Sequence, residues 1–236
     1  MIHGTEGGGK AEIIVALDEP SLGEAKQLMD RLGGRAKFYK VGLQLFTAAG
    51  PAAVEAVHKH SARVFLDLKL HDIPNTVASA VRSARELGVD LCTIHLAGGP
   101  DMCAAAVTEA GEKMKILGVT VLTSSNQATL ESCGVHGSVG EQVVRLAQMG
   151  YAAGVRGFVA SALELPMLRS QLGKEPLLVI PGVRPAGSEA GDQKRTATPA
   201  DVVRGGATHL VVGRPISRAA DPAAAFDAIA RETAGA

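Results

Sequence analysis

Between Asp67 and Asp72 the chain places two carboxylates, an ammonium and an imidazole, within the stretch Asp67-Leu68-Lys69-Leu70-His71-Asp72-Ile73-Pro74-Asn75-Thr76. The apolar run before it reads as a β-strand. Strand side chains alternate faces, so Asp67 and Lys69 share one side while Leu66, Leu68 and Leu70 take the other. Charge inside a strand is costly unless it is paired. Flanking carboxylates favour the ammonium form of a lysine, whereas burial favours the neutral amine. Sequence alone leaves that balance open, but three candidate carboxylates, Asp18, Asp67 and Asp72, favour a cation and proton donor over a Schiff-base amine. A second lysine, Lys40, lies in another apolar run with Phe38 and Gly42 on its face, and Asp18 closes a third run. Asp18, Lys40, Asp67, Lys69 and Asp72 suggest an alternating network in which neighbours satisfy each charge. A purely structural ion pair is the alternative reading of Lys40.

Groups so distant in sequence need a frame that brings them together. From Glu12 a short apolar run alternates with a helical stretch. The runs are Glu12–Asp18, Phe38–Leu43, Arg63–Leu70, Leu91–Leu96, Lys115–Ser124, Gly157–Ser161, Leu177–Arg184 and His209–Ile216. Most are rich in Val, Ile and Leu without polar alternation, as in the strands of a buried parallel sheet. Pro51–His60 and Thr76–Gly88 have helical periodicity, the latter through Val77, Ala80, Val81, Ala84 and Leu87. The longer unit after Lys115 leaves room for an extra loop and helix near Asn126–Gly137. Eight such units form either a closed barrel or an open doubly wound sheet. The first turn, Asp18-Glu19-Pro20-Ser21, lacks a dinucleotide glycine fingerprint. Polar residues sit instead at the ends of most strands, where barrel active sites are built. The expected fold is therefore α/β, a single-domain (β/α)8 TIM barrel over residues 12–236 behind a flexible tail, residues 1–11.

Composition agrees with that frame. The chain has 236 residues, near the ~250 of one α/β barrel. With 24 basic and 24 acidic residues it has no net charge, which argues against a nucleic-acid or membrane-surface role. No apolar run approaches the ~20 residues of a membrane span, and no secretory signal precedes the first strand. Cys92, Cys103 and Cys133 have no metal or redox spacing, read as small buried or half-buried residues, and suit a reducing cytoplasm. Gly4 to Lys10 nearly spells a P-loop, but Ala11 replaces the Ser or Thr and no strand precedes it.

The seventh and eighth strand ends read as a phosphate site. Pro181-Gly182-Val183-Arg184 is followed by Gly187, Gly191, Gln193, Lys194 and Arg195, then by Gly205-Gly206 and Gly213-Arg214-Pro215-Ile216. Barrels often bind phosphate there, with glycines admitting backbone N–H groups to the anion and arginine as a bidentate partner. The polar segment 185–198 has the length of a lid. His71 and His95 lack a second ligand at metal spacing and read as supporting residues, so no metal site is expected.

The ten residues from Asp67 to Thr76 resemble the signature of the orotidine 5′-phosphate decarboxylase family. The resemblance extends through Val15–Asp18, Lys40–Gly42, Val119–Ser124, Pro181–Arg184, Gly191–Arg195 and Val212–Ile216, nearly the whole chain from Glu12. It implies conversion of orotidine 5′-monophosphate to UMP and carbon dioxide, the last step of UMP synthesis, with no cofactor. By that resemblance Lys69 protonates carbon 6, Asp67 lies beside the departing carboxylate, and Lys40 and Asp18 contact the ribose and the charged network. Asp72, Ile73 and Thr76 would enter the partner's site in an obligate homodimer. Thr123, with Ser124 as its rival, matches the pyrimidine contact. Gln193, Arg214 and the Gly213 backbone match the phosphate clamp, with Arg184 beside it. The expected partners are a nucleotide substrate and a second subunit, with no nucleic acid and no membrane. Two other readings are a magnesium-dependent sugar-phosphate decarboxylase or aldolase of a related barrel, and a non-catalytic phosphate-ligand sensor. The residues Ile73-Pro74-Asn75-Thr76 weigh against the first and the retained lysine against the second.

Overall fold

The computed structural model describes residues 11–185 and 197–236. Eight parallel strands close into a barrel: β1 (Glu12–Leu17), β2 (Phe38–Gly42), β3 (Arg63–Leu70), β4 (Leu91–His95), β5 (Lys115–Val119), β6 (Gly157–Val159), β7 (Leu177–Ile180) and β8 (His209–Val212). Each pairs with the next, and β8 returns to β1 through Glu12–His209 and Val15–Val212. The expected (β/α)8 barrel is the observed fold. Alternation along each strand gives two apolar layers. Ile14, Ala16, Phe38, Phe65, Leu91, Leu117, Val179 and Val211 point inward and fill the lower barrel. Their neighbours, such as Val15, Tyr39, Val64 and Cys92, point outward into the larger core beneath the helices.

The strands are shorter at their C-terminal ends than the apolar runs suggest. β5 stops at Val119, because Val121, Leu122 and Thr123 are apolar or small as lining of a cavity and not as sheet. Pro181 has no N–H to donate, so β7 stops at Ile180. Arg214 already belongs to the short helix Arg214–Ser217, with Pro215 in its first turn. The helix expected over Thr76–Gly88 starts two residues earlier, as Pro74–Glu86, since proline is preset for the first helical position. Val77, Val81 and Ala84 are its buried stripe, and Gly88, at φ 79°, turns the chain back. The extra helix after β5 is Gln127–Ser132, capped at Asn126 by a reciprocal side-chain box with Thr129. Of the expected tail, only Ala11 falls within the described residues, and it is buried. Cys92 and Cys103 are buried as expected, but Cys133, at the end of the helix Gln127–Ser132, is exposed. No described helix is long and apolar enough to cross a membrane.

Candidate active site

Above the Phe65 layer the inward side chains become polar, and a cavity of about 250 Å³ opens at the C-terminal ends of the strands. Asp18, Lys40, Asp67 and Lys69 line one side of it, and Arg184, Gly213 and Arg214 line the other, with Thr123 on the β5 loop between. The charged side chains form a chain of contacts. Lys40 Nζ donates to Asp18 Oδ1 at 2.7 Å and lies 3.8 Å from Asp67 Oδ2. Lys69 Nζ donates to Asp67 Oδ1 at 2.8 Å. Side-chain exposure is 11% for Lys40 and 13% for Asp67, against 59% for Asp18, so the inner pair carries the desolvation cost and Asp67 offsets two ammonium groups. Gly42 makes this possible, because a Cβ there would stand 2.8 Å from Lys40 Nζ and 3.1 Å from Asp18 Oδ1.

Lys69 reaches its place through an unusual backbone. Its φ is +51°, the left-handed region that a non-glycine residue occupies at a cost of about 1–2 kcal/mol. β3 and β4 lose register there, between Leu66 and Leu70. The side chain of Thr93 stands in the gap. Its hydroxyl accepts the Lys69 N–H at 2.9 Å and donates to Asp67 Oδ1 at 3.0 Å. Thr93 is fully buried, and sequence reasoning passed over it. The available signal was a lone hydroxyl inside the apolar run Leu91-Cys92-Thr93-Ile94.

Two histidines flank this corner. The His71 and His95 rings are 5.7 Å apart and tilted by 43°. Burial holds the His95 imidazole below its ordinary value, and the nearby His71 and Lys69 add to that, against an opposing pull from Asp67. Behind them, burial and then the Asp67 charge push the Cys92 thiol up to about 12, so it is inert.

On the far side of the barrel the Arg184 guanidinium is held below its usual range by burial and by the Arg214 charge. Two like charges turned into one cavity make a site for an anion. Gly182, at φ 76°, lets the chain turn there, and Val183 bridges Ala197 across the base of the expected lid. Arg184 N–H donates to Ala197 C=O at 3.0 Å, which fixes both ends of that segment. Gln193, with most of the expected lid, lies outside the described residues. Gly205 and Gly206 do not join the phosphate site. They end the helix Pro199–Arg204, and the Gly206 carbonyl accepts from the Arg169 guanidinium instead.

Asp72, Ile73 and Thr76 stand apart from the cavity. All three are exposed, Ile73 by 67%, and the Asp72 carboxylate accepts the Ile73 N–H at 2.7 Å. Asp72 thus does not extend the intrachain network, because helix Pro74–Glu86 turns away directly after it. Thr123 lines the cavity, whereas Ser124 is exposed and does not. Among the described residues, no group of three or more His, Cys, Asp or Glu side chains converges to hold a metal ion.

Known proteins resemble this chain in sequence and fold. A family model described as "Orotidine 5'-phosphate decarboxylase / HUMPS family" matches residues 11–229. The chain is 50% identical over 232 residues to the orotidine 5'-phosphate decarboxylase of Moorella thermoacetica, covering 94% of this chain and 92% of that one. It is 51% identical over 218 residues to that of an Anaeromyxobacter species, covering 92% and 96%. The crystal structure of orotidine 5'-phosphate decarboxylase from Lactobacillus acidophilus superposes with a TM-score of 0.84 at 35% identity, over 94% of this chain and 99% of that one. The chain belongs to the orotidine 5'-phosphate decarboxylase / HUMPS family.

Proposed function

We propose that this enzyme decarboxylates orotidine 5′-monophosphate to UMP without a cofactor, and that Lys69 supplies the proton. One observation carries the reading: the Lys69 ammonium is held 2.8 Å from a shielded carboxylate, in a cavity whose far side carries two arginines. The C6–carboxylate bond breaks, carbon dioxide leaves, and the electron pair stays on carbon 6. A fixed cation beside that carbon stabilises the developing charge and then transfers its proton, giving UMP and a neutral amine that solvent reprotonates. Asp67 orients the ammonium and sits beside the departing carboxylate. Lys40 and Asp18 hold the ribose, and Thr123 contacts the pyrimidine. Arg184, Arg214, the Gly213 backbone and Gln193 grip the phosphate. Phosphate contacts remote from carbon 6 stabilise the closed, reactive arrangement, so they raise the rate as well as the affinity.

A homodimer follows from the same reading. The exposed Asp72, Ile73 and Thr76 suit a role in the neighbour's site, where Ile73 would lose its contact with water. Residues 12–236 act as one catalytic domain, and the exposed thiol of Cys133 fits a reducing cytoplasm.

The test follows loss of the substrate's ultraviolet absorbance with and without a chelator. The wild type should turn over equally in both, and a chelator-sensitive rate would favour the magnesium-dependent alternative. Lys69→Ala and Asp72→Ala should each be inactive alone and regain activity when their subunits are exchanged. Near-normal turnover by Lys69→Ala would remove the lysine as donor. Verified subunit exchange without recovery would remove the shared site.

A further inference from the structure

We propose that Thr93 is a positioning residue for this reaction: one buried hydroxyl fixes both the backbone and the charged end of Lys69. The inference rests on the decarboxylase reading only for what turnover measures. Its basis is the mismatch between β3 and β4. Leu66 pairs with Cys92 and Leu70 with Ile94, so β3 advances four residues where β4 advances two. Asp67, Leu68 and Lys69 fill the bulged length, and regular ladder pairing does not supply the Lys69 N–H with an acceptor. Thr93 supplies it from a side chain.

A hydroxyl has one proton to give and lone pairs to accept with. Here the lone pair takes the Lys69 N–H at 2.9 Å, and the proton goes to Asp67 Oδ1 at 3.0 Å. The same Oδ1 accepts from Lys69 Nζ at 2.8 Å. The result is a closed ring from Lys69 N–H through Thr93 and Asp67 back to Lys69 Nζ. It pins both ends of one lysine whose backbone stands at φ +51°. Thr93 is fully buried and does not line the cavity, so it acts through Asp67 and Lys69 and not on the substrate. Apolar packing around it cannot supply either hydrogen bond. Leu91 lies below on the inward face, and Cys92 and Ile94 lie outward in the core.

The substitution Thr93→Val keeps the shape and removes the hydroxyl, whereas Thr93→Ser keeps the hydroxyl. Expected for Thr93→Val is a 10- to 100-fold fall in kcat, with KM for orotidine 5′-monophosphate and the Kd of UMP within about threefold of wild type. Thr93→Ser should restore kcat to within about threefold. Amide hydrogen exchange at Lys69, followed by NMR, should be slow in wild type and Thr93→Ser and at least tenfold faster in Thr93→Val. A folded, UMP-binding Thr93→Val with wild-type kcat overturns the proposal. So does a Thr93→Ser variant as slow as Thr93→Val, or Lys69 exchange unchanged by loss of the hydroxyl. Should Thr93→Val not fold, Thr93→Ala loses the same hydroxyl without adding bulk and is scored by the same measurements. A wild type inactive on orotidine 5′-monophosphate would sink the decarboxylase reading, while the exchange rates would still decide whether Thr93 holds Lys69.

Discussion

The two ends of the barrel carry charge clusters of similar composition and opposite use. At the N-terminal end Arg63 bonds Glu12 and lies 4.2 Å over the Phe38 ring, with His209 edge-on to the same ring at 6.1 Å. At the C-terminal end Lys40 and Lys69 share Asp67. Between the ends lies one apolar plug built on Phe38, Phe65 and Leu91. The lower pair sits against the plug but remains 46% and 38% exposed, so water screens it. The upper charges line a cavity at the strand ends, and Asp67 is 13% exposed. What separates the surface ion pair from the candidate site is thus shielding from water, since a cavity also adjoins Glu12 at the lower end. An anion entering the upper cavity exchanges water for fixed, shielded charges, whereas the lower pair stays screened by solvent.

Removing the shared carboxylate tests that contrast most severely. Asp67→Ala leaves two lysines facing each other across a shielded gap. Turnover should fall by at least ~100-fold, and stability should drop by about 3 kcal/mol, as when one partner of a buried pair is lost. Activity within tenfold of wild type, with an unchanged urea midpoint, would make the two ends equivalent. Arg214→Ala comes next. Losing a charge-assisted contact of about 1.5–3 kcal/mol should weaken UMP by about 10- to 100-fold while leaving uridine nearly unaffected. Calorimetric titration of both ligands decides it, and equal weakening would take Arg214 out of the clamp.

At the other end, Arg63→Ala should cost only about 1 kcal/mol of stability, the sum of a screened ion pair and an exposed cation–π contact. Its kcat/KM should equal that of wild type, and a loss of turnover there would couple the two ends. The smallest effect concerns pH. Burial keeps His95 neutral in the folded protein below the ordinary imidazole value, so the unfolded chain binds the proton more tightly. The stability contributed by neutral His95 is complete above about pH 6.5 and is lost as pH falls below it. His95→Gln should flatten the urea midpoint against pH in that window, and an unchanged slope would assign it to other groups.

Much of this architecture was legible because the fold's demands repeat. Buried parallel strands need uninterrupted Val, Ile and Leu, and eight such runs separated by amphipathic stretches leave few alternatives to a barrel. The site was legible where chemistry forces unusual residue types, as with a lysine between carboxylates in β3. It was less legible where ordinary residues do the work. The run Lys115–Ser124 looked like strand throughout, yet Val121 and Leu122 are apolar because they wall a cavity. Gly205 and Gly206 looked like phosphate binders, yet one helix end needed them. Thr93 was overlooked since a buried threonine in a strand is common, and its role depends on a register shift in its neighbour.

The order of residues alone determined the barrel, the charged corner of Asp67 and Lys69, and the arginines that follow β7 and β8, because hydrophobic periodicity and charge type are local properties. Only the tertiary structure decided that Asp72 leaves the intrachain network, that Thr123 and not Ser124 meets the cavity, and that Thr93 closes the ring around Lys69. Those outcomes depend on where strands end and how their registers meet, and both are set by packing between segments far apart in the chain.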